Sequence, residues 1–280
     1  MGELFERKVI LDIYPATGAA KRIDGLRINF EVAKTSKSTP NRSTIKVFNL
    51  NENSRSLFAG KETRVALQIG YLGLNPNGIL NTGFLSSKNV ELVFIGNITN
   101  FEHKKEKTDI ITDMELGDGS NRFRNAKIEK GYPENTSLSL AIDDVIEALG
   151  LKRGPIMGIP NRKYKNGLVV SGLAKDQLDK LCAANDLEWS IQDETVQIFP
   201  RYTTTNENVI LLNSKTGLIG SPRKTKDGIA FDSLIQPILR PGRKVKIESK
   251  FLSGTYKLRT VSHYGDSHSG TFLSKCEARA

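Results

Sequence analysis

The stretch that most restricts the fold is residues 217–280, where turn dipeptides recur before any apolar repeat reaches helix length. Asp227-Gly228 precedes an extended segment over 229–235. Arg240-Pro241-Gly242 opens a strand over 244–249, and Ser253-Gly254 leads into another over 255–263. The loop Gly265-Asp266-Ser267-His268-Ser269-Gly270 joins that strand to a last one over 271–277. A period of two puts Phe272, Ser274, Cys276 and Ala278 on one face of it, and Leu273, Lys275 and Glu277 on the other. Short strands in this order make a small antiparallel β unit, a barrel or a sandwich.

Residues 1–125 read the same way. Alternation predicts strands over 8–14 (Val9, Leu11 and Ile13 inward), 26–32 (Leu26, Ile28, Phe30, Val32), 43–50 (Ile45, Val47) and 63–71 (Val65, Leu67, Ile69). Two more follow over 89–101, with a kink near Gly96, and over 107–116. A short helix is expected over 51–58, capped by Asn51 or Asn53. Two polar stretches, 34–43 and 72–88, read as loops with free side chains. Lys34, Lys37, Asn41 and Arg42 in the first, and Leu74, Asn75 and Asn77 in the second, are the candidates for partner contact.

Between about 126 and 202 the period changes to that of a helix. Leu138, Ala141, Ile142, Val145, Ile146 and Leu149 share one face, with Thr136 or Ser137 as cap and Gly150 as terminator. A second helix, capped by Ser171, buries Leu173, Leu178, Leu181 and Cys182. Residues 152–166 read as an exposed loop, and strands over 188–191 and 195–199 pack Trp189 and Ile191 against Val196 and Ile198. The fold class is therefore mainly β, with domains over 1–125 and 203–280 flanking an α+β module over 126–202.

Catalytic signatures do not emerge. His263, Asp266 and His268 are the weak candidate for a metal site, but no further ligand is suggested by spacing. Asp143 and Asp144 are adjacent on a helix and point apart, unlike a paired acid and base. Asp113 and Asp118 lack calcium-loop spacing, and Gly117-Asp118-Gly119 is a turn rather than a phosphate loop. Cys182 and Cys276 lie among apolar neighbours and read as buried reduced thiols, as in a chain made in a reducing cytoplasm. Neither a secretion signal nor a membrane-length apolar run is visible, and no cofactor is expected. The hydrophobic share of 38% suits small β units whose surfaces partners cover, more than one large compact enzyme. A net charge of +10 admits nucleic acid or an acidic protein as partner. Lys and Arg are spread along the chain, and the cluster at 103–107 holds Glu106 and adjoins Glu102.

Several strings, taken in order, resemble bacteriophage baseplate hub proteins, the tail tube-to-spike adaptors of contractile tails. They are Gly25-Leu-Arg-Ile-Asn-Phe-Glu-Val with Lys34-Thr35, Pro40-Asn41 through Phe48-Asn49-Leu50, Val65-x-Leu-x-x-Gly-Tyr71, and Val93-Phe-Ile-Gly-Asn-Ile98. Ile110-Ile-Thr-Asp-x-Glu-Leu-Gly-Asp-Gly119 follows, then Gly217-Leu-Ile-Gly-Ser-Pro222, Pro237-x-Leu-x-Pro-Gly242 and Gly270-x-Phe-x-Ser-x-Cys-Glu277. The resemblance covers most of the chain.

It implies a virion structural protein rather than an enzyme, made in the host bacterial cytoplasm and assembled into the tail baseplate. The two terminal β units would be similar, tube-type, barrel-like units. In a homotrimer they would give six units around the DNA channel, with the α+β modules outside. The implied partners are itself, the tail tube or tube-initiator protein, the central spike, baseplate wedge proteins, and genomic DNA passing without specific binding. The excess Lys and Arg would then face acidic neighbours rather than the channel. Because the chain stops after the last hub-like strand, no wall-cleaving domain is expected on it. The alternatives are a tail-associated cell-wall-degrading lysin and a basic small-barrel nucleic-acid-binding protein. Against the latter, Phe30, Phe48, Tyr71, Phe94 and Phe101 alternate as core residues instead of forming a stacking face.

Overall fold

The computed structural model describes residues 6–38, 41–59, 63–72, 89–117, 123, 125–201 and 208–279. The first strands are β1 (Arg7–Tyr14), β2 (Lys21–Asp24), β3 (Ile28–Thr35), β4 (Arg42–Phe48), β5 (Arg64–Tyr71), β6 (Asn89–Glu106) and β7 (Asp109–Gly117). The middle of the chain supplies β8 (Lys127–Tyr132), β9 (Thr136–Ser137), β10 (Lys152–Ile156), β11 (Lys163–Tyr164), β12 (Leu168–Leu173), β13 (Leu187–Gln192) and β14 (Thr195–Pro200). The last are β15 (Ile210–Leu212), β16 (Leu218–Thr225), β17 (Gly228–Leu234), β18 (Lys244–Glu248), β19 (Ser253–Asp266) and β20 (Phe272–Arg279). The protein is mainly β. It divides into two compact units: Met1–Lys34, Arg42–Gly117 and Glu207–Ala280 form one, and Thr35–Asn41 with Asp118–Asn206 the other.

In the first unit the strands form one sheet in the order β16-β17-β20-β19-β3-β4-β7-β6-β5-β1-β2, with β18 beside β19 and β15 beside β18. Alternation explains its register. Phe30 lies opposite Ile45, and Ile45 opposite Met114. Leu11 lies opposite Leu67. All of these enter one core with Phe58, Phe94 and Leu116, so the sheet path from β1 to β7 curls around a shared interior. Removing each such side chain from water contributes about 1.5–3 kcal/mol. A separate core gathers Ile229, Phe231, Val245, Ile247, Val261 and Cys276.

The expected helix over 51–58 is one α-helical turn, Glu52–Arg55, followed by a 3-10 turn, Ser56–Ala59. Asn51 is the cap: its side chain accepts from the Ser54 amide at 2.9 Å. The kink expected near Gly96 is a change of partner. β6 pairs with β5 up to Asn97 and with β7 from Asn97 onward, with bulges on either side. A Cβ on Gly96 would stand 2.3 Å from the Gly117 carbonyl oxygen, so only glycine allows this approach.

Strand pairing repeats within the chain. β3, β4, β5, β6 and β7 make the antiparallel pairs β3–β4, β4–β7, β5–β6 and β6–β7. In the same chain order β16, β17, β18, β19 and β20 make β16–β17, β17–β20, β18–β19 and β19–β20. β3 of the first set lies beside β19 of the second. β15 and β16 are not apparent from sequence, since Gly220, Pro222 and four polar residues give β16 the composition of a loop. Its position at the end of the sheet tolerates a proline that an inner strand would not.

In the second unit, the Leu138–Leu149 helix buries the six predicted residues; Ser137 caps its start, and Gly150 ends it at φ 67°. The second helix, Ala174–Ala183, starts later than expected and Ser171 does not cap it. Residues 168–173 are instead held as β12 against β8, so Leu173 sits only half-buried at the cap position. The predicted loop over 152–166 contains β10, parallel to β14, and β11, antiparallel to β9. In the β13–β14 hairpin Trp189 lies opposite Ile198 and Ile191 opposite Val196. Cys182 and Cys276 are buried and free, and burial pushes the Cys182 thiol up to about 12.

Candidate assembly surface

The turn after β19 fastens the two strand sets together. The Ser267 amide donates to the Ile28 carbonyl at 2.9 Å, and the Ile28 amide donates to Ser267 Oγ at 2.9 Å. Arg27 Nε donates to Asp266 Oδ2 at 2.9 Å, while Asp266 Oδ1 accepts the amides of His268 and Ser269. Burial works against ionising Asp266, but Arg27 and those two amides outweigh it and hold the carboxyl below its ordinary value. Arg7 reaches the carbonyls of Asp266 and Gly270 and lies 5.1 Å over the Phe272 ring.

The three residues considered for a metal are therefore committed elsewhere. Asp266 serves Arg27. His263 is 1% exposed, its Nδ1 2.8 Å from Ser274 Oγ. Burial, with Lys34 and Arg240 nearby, pushes it down to about 3. His268 stands on the exposed turn against Ser267. Among the described residues no group of three His, Cys, Asp or Glu side chains is placed to hold a metal ion. Asp143 accepts from Arg153, and Asp144 from Tyr132 and Lys130, so the adjacent carboxylates also serve separate partners.

The partner-contact candidates divide. Lys37 and Arg42 are exposed. Lys34 and Asn41, expected on a loop with free side chains, are 1% and 3% exposed. Asn41 accepts from the Thr35 amide at 2.9 Å and donates to the Ile191 carbonyl at 2.8 Å, while Gln192 donates to the Thr35 carbonyl. Buried backbone groups need partners, and a side-chain amide supplies both a donor and an acceptor. Leu74, Asn75 and Asn77 lie outside the described residues.

Two features of the sheet suit assembly. One is a concavity of about 730 Å³ over β20, β19, β3, β4, β7 and β6, lined mostly by polar and charged residues. Glu31, Glu102, Asp113, Glu115 and Asp266 line it against Arg27, Lys46 and Lys275. Lys46 pairs with Asp113 at 3.1 Å, and Lys104 reaches Asp113 and Glu102. A face with more carboxylates than cations does not grip phosphates. The second feature is a pair of open edges. Among the described residues, no strand lies beyond β16, and none lies beside residues 99–106 of β6 on the side where β5 has ended.

The family model for Baseplate hub gp41 matches residues 10–278. The chain belongs to this family. No curated protein matches the sequence. Solved structures share the fold: the 43 kDa tail protein of prophage MuSo2 from Shewanella oneidensis has TM-score 0.65 and 8% identity, covering 98% of both chains. A tail protein from Neisseria meningitidis has TM-score 0.65 and 7% identity, covering 99% of this chain and 97% of that one. An E. coli component of the type VI secretion system, structurally similar to the T4 bacteriophage tail proteins gp27 and gp5, has TM-score 0.58 and 12% identity over 96% of this chain and 76% of that one. This baseplate hub protein is a structural component of the phage tail, as its motifs implied. Its open edges were not legible in the sequence. The nearest signal was the pairing of Gly220 with Pro222, which marks a strand with one side unpaired.

Proposed function

We propose that three copies of this hub protein close into a ring that joins the six-fold tail tube to the three-fold central spike and surrounds the DNA channel. The observation that carries this reading is a repeated strand order with one junction made and one open. Within the chain, β3 of the first set lies beside β19 of the second. By chain order and pairing, β16 is the counterpart of β3 and β6 the counterpart of β19, and these two present the open edges. A neighbouring copy set by the same step would lay its β6 edge along β16. Such a head-to-tail contact propagates until a ring closes, and three chains of two sets each give six. Each set would add four strands to a continuous wall: β6, β7, β4 and β3 from one, β19, β20, β17 and β16 from the other.

In this reading the concave face with its paired Lys46, Asp113 and Lys104 lines the channel, where the excess of carboxylates over cations lets DNA slide. The domains over 1–125 and 203–280 act as the two ring units, and the module over 126–202 is an insertion between them. Tube or tube-initiator, spike and wedge proteins are the other neighbours, met in part through Lys37 and Arg42 and through the segment holding Leu74, Asn75 and Asn77. The fold shared with the E. coli protein, itself structurally similar to the T4 tail proteins gp27 and gp5, supports a place in a tail-like assembly. Light scattering over a range of concentrations, with and without the spike protein, tests it. Three chains of 31.0 kDa support the ring, and a single chain under both conditions overturns it.

A further inference from the structure

Lys and Arg occur throughout the chain, but their excess over Asp and Glu is concentrated in one part of it. Residues 208–279 hold thirteen Lys and Arg against five Asp and Glu, while the rest of the chain holds 28 against 26. Register gathers part of this excess in one place. Lys244 lies opposite Lys257, and Lys257 opposite Arg279, so three adjacent strands carry cations side by side on one face. Arg259 follows in the bulge of β19 and reaches the exposed Asp227 at 3.8 Å. Lys257 is 5% exposed, and Lys246 pairs with Glu248 on its own strand at 2.7 Å, so Lys244, Lys246 and Arg259 supply the accessible cations around that one carboxylate.

An apolar margin adjoins these cations. Leu211 on β15 lies opposite Lys246 and is 39% exposed, and Val209 just before it is 48% exposed. β15 pairs with β18 alone among the described residues, so its other edge offers unpaired backbone groups. Exposed aliphatic side chains on an edge strand favour association.

We propose that the face formed by β15, β18 and the adjoining ends of β19 and β20 docks an extended, acidic and partly apolar segment of a neighbouring baseplate protein. Carboxylates of that segment would sit over Lys244 and Lys246, and its apolar side chains on Leu211 and Val209. The aliphatic margin favours a protein over a nucleic acid, since a phosphate backbone offers nothing to Leu211. The inference rests on membership of the baseplate family and not on ring closure, so a failure to trimerise leaves it standing.

The test uses fluorescence anisotropy on the full chain with a short dye-labelled peptide alternating Glu and Val, a Glu–Ser peptide of the same charge, and duplex DNA. Lys244→Glu with Lys246→Glu should weaken the Glu–Val peptide at least about tenfold. Leu211→Ser should weaken it several-fold without altering its preference for low salt, and the Glu–Ser peptide should bind less tightly than Glu–Val. Lys163→Glu with Lys165→Glu in the second unit makes the same net charge change and should leave binding intact. Melting curves confirm that each variant is folded. Equal losses in both charge-reversed pairs, equal binding of the two peptides, or tighter binding of DNA would overturn the proposal.

Discussion

Arg27 and Asp266 are 239 positions apart in sequence, and Arg27 Nε donates to Asp266 Oδ2 at 2.9 Å. With Ser267 hydrogen-bonded to Ile28 on the same turn, this contact fixes where the second strand set meets the first. Arg27 also lies 4.7 Å over the Phe48 ring, so its position is set from two sides.

Removing one partner should therefore loosen the junction. Asp266→Asn keeps the shape of the side chain but removes its charge, and should cost about 2 kcal/mol in chemical denaturation. Arg27→Ala should cost a similar amount, and the double variant clearly less than the sum of the two.

Acid should act on the same contact. Asp266 has its folded pKa lowered below the ordinary value of 3.8, so its contribution is complete above that value and is lost as pH falls through the folded one. Denaturation of wild type and Asp266→Asn across pH 2–6 should show the gap between them closing below about pH 4.

His263 adds a dependence in a higher window. Buried and neutral, it titrates at about 3 when folded against 6.5 ordinarily, so between these values the unfolded chain binds a proton that the folded chain does not. Stability should fall with acidification through that window, by up to about 1.4 kcal/mol per pH unit from this group. His263→Gln should show a shallower slope in melting experiments from pH 3 to pH 7.

Gly96 tests the crossing at which β6 changes partner. Gly96→Ala would force its Cβ against the Gly117 carbonyl oxygen and the Phe94 ring, and should destabilise by about 1–3 kcal/mol. Gly131→Ala, where nothing lies within 4 Å, is the control and should be close to neutral.

Much of this architecture is legible in the sequence because β alternation writes burial directly into residue order. Ile28, Phe30 and Val32, and Phe272, Ser274, Cys276 and Ala278, fall on the buried faces that their spacing predicts. The Leu138–Leu149 helix shows equally well, since its apolar stripe and Gly150 agree. Edge strands do not write this signal: Leu218–Thr225 is exposed along most of its length and becomes a strand because β17 offers it a ladder. Long-range polar contacts are equally silent. Nothing local tells Asp266, with two histidines close by, that its partner is Arg27, or Asn41 that it will bridge Thr35 and Ile191.

A reconstruction of the tail baseplate that traces individual strands tests the central claim most directly. The predicted result is three copies in a ring, with Leu218–Thr225 of each hydrogen-bonded to the second half of Asn89–Glu106 of the next. Any other copy number, or a ring in which those two edges stay apart, would contradict it.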